Sequence, residues 1–327
     1  MSMKKLFFKI LCLFAVQGFM LEAVHAQIYP SRSVRIVTSF SAGSGPDAML
    51  RMVSDKLAKL WGQPVIIDNR PGASGFIAIS EARRSGVDGY TLLHMDGLNL
   101  TAIPHMYKKL PYNAETDIEP ISPIHGSYFF VTVSADSPWN SMTDLIKAAK
   151  SDPGAISYGS WQIGSVAHLF SAALEAGTGT KMMHVPYKEN SQLYTGVARQ
   201  EVTWAFGSIA SAGPLVKAGR LKFLAIAGPA RESAYPQVPT VAEAGGPAGF
   251  EARGWVGLFA PKGVPMPIAE KISADLTRVV NEPELKAKMT ELGYDPMPSK
   301  PAETRALVAT QSKEFKVVVT RSAITLD

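Results

Sequence analysis

Short apolar runs alternate with helical spacings from position 34 onward. Val34 to Val37 reads as a buried strand, and Met49, Val53, Leu57 and Leu60 then recur at spacings of three and four, the period of one helical face. Gly62 and Pro64 stop that helix. Val65-Ile66-Ile67-Asp68 repeats the strand pattern. A glycine loop at 69–75 leads into a short helix through Ala82, and Asp88-Gly89 turns into a third strand, Tyr90 to Met95. Strands alternating with helices predict a parallel sheet, which takes ligands beyond the C-terminal ends of its strands.

Pro104, Pro111, Pro120 and Pro123 then limit helix and central-strand content. A strand restarts over Tyr128 to Val133, so the chain is expected to leave its first lobe near residue 126. Ser141 and Asp144 read as a capping box for a helix that ends before Asp152-Pro153-Gly154. Ile156 to Ser160 is a strand, Trp161 to Ser165 a loop, and the next helix buries Val166, Leu169, Phe170 and Ala173. Strands at 202–206 and 221–227 flank a helix near 211–218. A proline-rich stretch, 229–239, returns the chain, and a strand at 255–260 precedes helices at 267–281, 283–292 and 301–320. The fold class is α/β with two lobes, each a mostly parallel sheet flanked by helices. Residues 27–125 with 228–327 form lobe 1 and residues 126–227 form lobe 2.

Two strand-to-helix loops carry the candidate chemistry. Phe40 to Asp47 and Tyr158 to His168 are rich in small residues, and each leads into a helix start whose free amides and partial positive charge suit an anion without a cationic side chain. Each loop is equally explained as an ordinary connecting turn. Trp161, large among small neighbours, is either a lid or a platform for a ring, whereas Trp204 in an apolar strand belongs to the core.

The N-terminus adds a location. Lys4, Lys5 and Lys9 precede an apolar stretch reaching Leu21, and Val24-His25-Ala26 fits a cleavage site, so residues 1–26 read as a secretory signal cut after Ala26. Gln17 and Gly18 interrupt the stretch, which is short for a membrane anchor. Cys12, the one cysteine, lies inside it, leaving the mature chain without disulfide or thiol metal ligand. Losing Lys4, Lys5, Lys9 and Glu22 lowers the formal charge from +5 to +3, and the remaining bases are scattered, unlike a nucleic-acid footprint.

Enzyme motifs fail in detail. Gly43-Ser44-Gly45-Pro46-Asp47-Ala48, with Asp68 after it, matches a lax dinucleotide fingerprint, but Thr38 to Ala42 separate the strand from the first glycine and Asp47 puts an anion where a pyrophosphate would lie. Ser160 with His168 lacks a G-x-S-x-G elbow. His94, His105, His125 and His184 have no metal-ligand spacing. The chain is expected to be neither an enzyme nor a cofactor carrier.

Tyr29-Pro30, Phe40 to Asp47, Gly62-Gln63-Pro64-Val65, Asp68 to Ala73, Asp88 to Leu93, Tyr107 to Tyr112, His184 to Lys188 and Val238 to Gly245 occur in order along nearly the whole mature chain. Together they resemble the Bug family of extracytoplasmic solute receptors, the substrate-binding proteins of tripartite tricarboxylate transporters. The resemblance implies a two-lobed type II periplasmic binding protein that closes over a small carboxylate held by main-chain amides and water. It maps ligand contacts onto Phe40, Ser41, Ala42, Gly43, Ser44 and Asp47, onto Ala73 and Ser74, and onto Ser160, Trp161, Gly164, Ser165 and His168, with Ser208 beside them. The chain departs from the family pattern at Ser41-Ala42, Pro46, Trp161 and Val166. Gly207-Ser208 stands where many members have an aspartate suited to a ligand amine. An amine-free carboxylate is therefore the expected ligand, and Trp161 tilts the choice slightly toward an aromatic acid. Expected partners are membrane permease subunits or, for a sensor, a signalling kinase, with a monomeric receptor in the periplasm.

Overall fold

The structure, a computed structural model, describes residues 29–326. The signal expected at 1–26 lies outside them. The chain opens with β1 (Val34–Thr38), α1 (Gly45–Trp61), β2 (Val65–Asn69), α2 (Phe76–Arg83) and β3 (Thr91–Asp96). Two short helices, α3 (Leu98–Thr101) and α4 (Ile103–Met106), precede β4 (Ile118–Tyr128). A second series follows: β5 (Phe130–Ser134), α5 (Met142–Ser151), β6 (Ser157–Trp161), α6 (Val166–Thr178), β7 (Met183–Tyr187), α7 (Asn190–Ala198), β8 (Trp204–Gly207), α8 (Ile209–Lys217) and β9 (Leu221–Ile226). The chain then returns through β10 (Arg253–Pro261), α9 (Met266–Val280), α10 (Pro283–Glu291), β11 (Asp295–Pro296) and α11 (Pro301–Ser322).

These strands form two sheets, in the orders β11-β4-β10-β3-β1-β2 and β7-β6-β8-β5-β9. In the first, β1, β2, β3 and β4 point one way and β10 runs against its neighbours. In the second, β6, β7, β8 and β9 point one way and β5 runs against β8 and β9. Each sheet is thus mostly parallel in direction, with one internal strand reversed. The chain passes from the first sheet to the second at Phe129 and comes back between Ile226 and Arg253.

Prolines do not keep β4 out of the sheet. The strand runs through Pro120 and Pro123, and its ladder to β10 shifts register between Val256 and Gly257, opposite Pro123, and between Leu258 and Phe259, opposite Pro120. The irregularities fall where a donor is missing, so the rest of the ladder stays paired. Strand β7 and helix α7 had no clear sequence signal. β7 is an edge strand containing Pro186, and none of its residues is buried.

Trp204 lies in the interior of the second sheet, fully buried, with Tyr158 and Phe206 against its ring. One apolar cluster runs from Val131, Trp204 and Phe206 through Leu169 and Phe170 to Ala102, Phe315, Val319 and Ile324. Helix α11 supplies the last part, packing on α3, α4 and β4 of the first half and on α6 of the second. The ring centroids of Phe170 and Phe315 are 5.8 Å apart. No helix among the described residues is long and apolar enough to cross a membrane.

Trp204→Ala leaves a large cavity and is expected to cost about 3–5 kcal/mol. Met183→Ala on the exposed edge strand should stay within about 0.5 kcal/mol. Urea denaturation of both variants checks this, and equal midpoints would contradict the packing described.

Candidate functional site

The first loop is held from behind by a buried carboxylate. Asp47, fully buried, accepts from the Gly43 amide at 2.8 Å, from Arg51 Nε at 3.0 Å and Nη2 at 3.2 Å, and from Asn69 Nδ2 at 2.7 Å. Asn69 Nδ2 also donates to the Phe40 carbonyl at 3.0 Å. Burial pushes the Asp47 carboxyl up, but the bonds from Arg51, Asn69 and Gly43 outweigh it and hold the group below the usual carboxylate range. The Gly43 amide, expected to face a ligand, is therefore spent inside the loop. Ser44 stands at the N-cap of α1 with its Oγ buried and unpartnered, and its amide bonds the Ser41 carbonyl at 3.2 Å.

The second loop repeats this design with a histidine. Gly164 has φ +76°, open to glycine, and its amide donates to His168 Nδ1 at 3.0 Å. An acceptor at Nδ1 makes His168 a neutral imidazole with its proton on Nε2. Its ring stacks on His184 at 3.8 Å and 11°. Ser160 Oγ bonds His184 Nε2 at 2.7 Å and the Gln162 carbonyl at 2.9 Å. A hydroxyl donating to Gln162 leaves His184 Nε2 as the donor to Ser160. Ser160 is thus bonded to His184 and not to His168, and it is buried. Burial lowers both imidazoles from 6.5 to about 4, with the neighbouring His184 adding to the effect on His168.

Ser165 caps α6, its Oγ accepting the His168 amide at 3.4 Å. The geometry of a helix start leaves the Val166 and Ala167 amides without intrahelical acceptors, and the helix dipole makes that end positive. A side chain at Gly164 would meet Leu326 Cδ1 at 2.6 Å. The Leu326 amide is itself bonded to the Met106 carbonyl at 3.0 Å, so the chain's last described residue backs this loop.

Between the two sheets lies a cavity of about 190 Å³. From the first half it is lined by Ser39, Phe40, Ser74, Gly75, Asp96, Leu98, Asn99 and Ile103, and from the second by Trp161 to Val166. Of the residues expected from sequence, Phe40, Ser74, Trp161, Gly164 and Ser165 come together on this lining. Ser41, Ala42, Gly43, Ser44 and Asp47 build the first loop without lining the cavity, and Ser160 and His168 stand behind the second. Ala73 precedes Ser74 in a left-handed turn, φ +46° and +52°. Ser208 caps α8 through the Ser211 amide, away from the lining. A larger open groove of about 520 Å³ near Arg83, Tyr107 and Asn113 shares no residue with either loop.

The lining residues that pattern alone did not single out cluster after β3. Asp96 Oδ1 accepts the Leu98 amide at 2.8 Å, and Asn99 Nδ2 donates to the Ser74 carbonyl at 2.6 Å. The rule that ligands sit beyond strand ends points to this turn as much as to the other two. Burial raises the Asp96 carboxyl to about 6, although the Leu98 amide pulls the other way. Among the described residues no Lys, Arg or His lines the cavity. Nor do any three of their His, Cys, Asp or Glu side chains stand together to hold a metal ion.

Two mixed α/β sheets with a cavity between them, lined by loops from the C-terminal ends of β1, β3 and β6, define a periplasmic-binding-protein fold. Residues 49–324 match the family described as Tripartite tricarboxylate transporter family receptor, and the chain belongs to that family. A UPF0065 protein of Bordetella pertussis is 32% identical over 276 residues, covering 84% of each chain. Among solved structures, R. palustris Rpa4515 with adipate superposes with a TM-score of 0.81 at 28% identity, covering 91% of this chain and 99% of that one. The periplasmic binding protein BugD gives 0.77 at 26%, covering 91% and 99%. MatC of Rhodopseudomonas palustris with bound malate gives 0.77 at 26%, covering 89% and 100%. The Bug resemblance and the two-lobed type II architecture expected from sequence both hold.

Buried histidines back both loops. His94 and His125 are lowered by burial to about 3, and His168 and His184 to about 4. The unfolded chain takes up protons below 6.5 while the folded one does not, so stability is complete above pH 6.5 and falls as pH drops toward 4. Each histidine contributes up to about 1.4 kcal/mol per pH unit in that window. Asp96, Glu175 and Asp295, all raised by burial, act in the opposite sense. Urea titrations at falling pH should show the midpoint dropping steeply below 6.5, and His168→Gln, which keeps an acceptor for Gly164, should flatten the slope. A midpoint independent of pH between 7 and about 5 would contradict these burials.

Proposed function

We propose that this chain is a periplasmic receptor that captures a small carboxylate in the cavity between its sheets and delivers it to a tripartite tricarboxylate-type membrane permease. The observation carrying the reading is the α6 N-terminus, with unspent Val166 and Ala167 amides, opening on a cavity lined from both halves. Relatives with adipate and with malate support the ligand class. Residues 27–125 with 228–327 act as one lobe and 126–227 as the other, closing about the segments that join them. The protein reaches the periplasm as a monomer after cleavage behind Ala26. It binds its ligand without chemical turnover or cofactor.

Phe40, Ser74, Trp161, Gly164 and Ser165 touch the ligand in this reading. Ser41 to Ser44, Asp47, Ala73, Ser160 and His168 hold the turns that present them. Trp161 offers a ring face next to Phe129, 5.8 Å between centroids, which favours an aromatic acid. Gly207 and Ser208, on which the amine-free expectation rests, do not line the cavity, and Ser208 caps α8.

Val166→Pro tests the anion position. Proline suits the first helical position, and Ser165 already has the extended backbone, φ −66° and ψ 162°, that precedes proline. The fold should persist while one amide donor is lost. Calorimetry on the mature protein against mono-, di- and aromatic carboxylates should show affinity falling roughly tenfold to a hundredfold. Unchanged affinity would move the carboxylate away from α6. In the same panel Trp161→Ala should weaken aromatic acids about tenfold more than aliphatic ones, and equal losses would discard the ring platform.

A further inference from the structure

Asp96 ends β3 and puts a carboxylate on the lining of the cavity. Its Oδ1 accepts the Leu98 amide, which fixes the side chain at the turn into α3. Among the described residues no other acidic side chain and no cationic one lines the cavity, so nothing resident balances this charge. Two amide side chains share the lining, Asn99 and Gln162, and Asn99 Nδ2 donates to the Ser74 carbonyl. The Trp255 indole, whose backbone carbonyl bonds Gly97, donates to Gln311 Oε1 at 2.7 Å.

The second half contributes the opposite polarity. There the start of α6 presents amides and the positive end of its dipole. A ligand carrying a carboxylate satisfies that wall alone. A second carboxylate on the same ligand would meet Asp96 as a like charge, with no cation in the lining to separate the two.

We infer that Asp96 is a specificity-determining residue, and that the cavity selects carboxylates that also bear a hydrogen-bond donor, a hydroxyl or an ammonium group, facing Asp96. The inference rests on the carboxylate-receptor reading and narrows it to hydroxy and amino acids over plain mono- and dicarboxylates. A donor there supplies a charge-assisted bond to a carboxylate that otherwise has only the Leu98 amide. Burial raises the Asp96 carboxyl to about 6 against the opposing pull of the Leu98 amide, in keeping with a carboxylate that has no cationic neighbour on the lining.

The test is calorimetry at about pH 8, where Asp96 is ionised, on the mature protein with matched acids. One set is butyrate, 4-hydroxybutyrate, 4-aminobutyrate and succinate. A second carries the same end groups on a six-carbon chain, and a third compares propionate with lactate and alanine. In at least one set a donor-bearing acid should bind at least about tenfold tighter than its plain and dicarboxylate counterparts. Asp96→Asn, which keeps an acceptor for Leu98, should shrink that preference to less than about threefold and improve dicarboxylate binding. Succinate or adipate binding the wild-type protein as tightly as the donor-bearing acids would overturn the inference and leave the receptor reading standing. This comparison needs no variant, so a misfolded Asp96→Asn would not blur it. Absence of binding by every acid in this aliphatic panel would likewise overturn the inference, whereas the receptor reading falls only if the aromatic carboxylates of the wider panel fail to bind as well.

Discussion

In each half of the molecule a glycine amide in the strand-to-helix turn is taken by the side chain four residues later. Gly43 donates to Asp47 and Gly164 to His168, and both glycines sit at positive φ, +79° and +76°. The bond closes the turn on itself before the helix begins and points the remaining backbone outward. The two acceptors differ in what they require. Asp47 is an anion and is balanced by Arg51 and Asn69, whereas His168 serves only as a neutral ring and is backed by the flat face of His184. The rigidity of both turns depends on these buried side chains, since the loops themselves have few apolar residues to pack.

The parallel between the turns extends to the sheets. Read from its β2 edge, the first sheet runs β2-β1-β3-β10-β4-β11 and the second β7-β6-β8-β5-β9, so β1 and β6 hold the same place, flanked in each case by two parallel neighbours. Each reversed strand lies directly after a crossing between the sheets: β5 follows Phe129, and β10 follows the return segment. Loops leaving β1 and β6 then face one crevice because equivalent strand ends in the two sheets do so. Helix α11 and the residues after it close the rear of the crevice by packing on both halves.

Much of this was legible in the chain. The β1–α1 and β6–α6 units follow from apolar runs, small-residue loops and helical spacings, and Trp204 is core as its apolar strand implies. The strand through Pro120 and Pro123 was hidden, because proline argues against a central strand unless the partner shifts register beside it, and that shift belongs to β10, more than a hundred residues later. Strand β7 was hidden for the opposite reason: with neither face buried, an edge strand leaves little hydrophobic imprint. At the site, pattern identified which turns would matter but not which amides were spent, which is set by side chains folding back from α1 and α6. Asp96 ends a strand and Asn99 follows it, as ligand residues commonly do, yet the turn after β3 has no glycine-rich signature to draw attention to it.

The crossing between the sheets is tied to the cavity wall by one aromatic contact. Phe129, the residue between β4 and β5, donates its amide to the Ala252 carbonyl at 3.0 Å and accepts the Ala227 amide at 2.8 Å, while the Ala252 amide bonds the Ala227 carbonyl at 2.9 Å. The outgoing and returning segments are thus hydrogen-bonded to one another where they cross, which resists their separation more than a twist about their common line. The Phe129 side chain meanwhile packs on Trp161, Phe170 and Phe206. Rotation of the halves about that paired segment would carry Phe129 against Trp161, a lining residue, so a ligand seated on the indole and the angle between the lobes would bear on the same ring contact. Interiors pack too densely for such a contact to deform continuously, and for that reason the proposed closure is better described as a choice between two packings of these rings than as a graded bend.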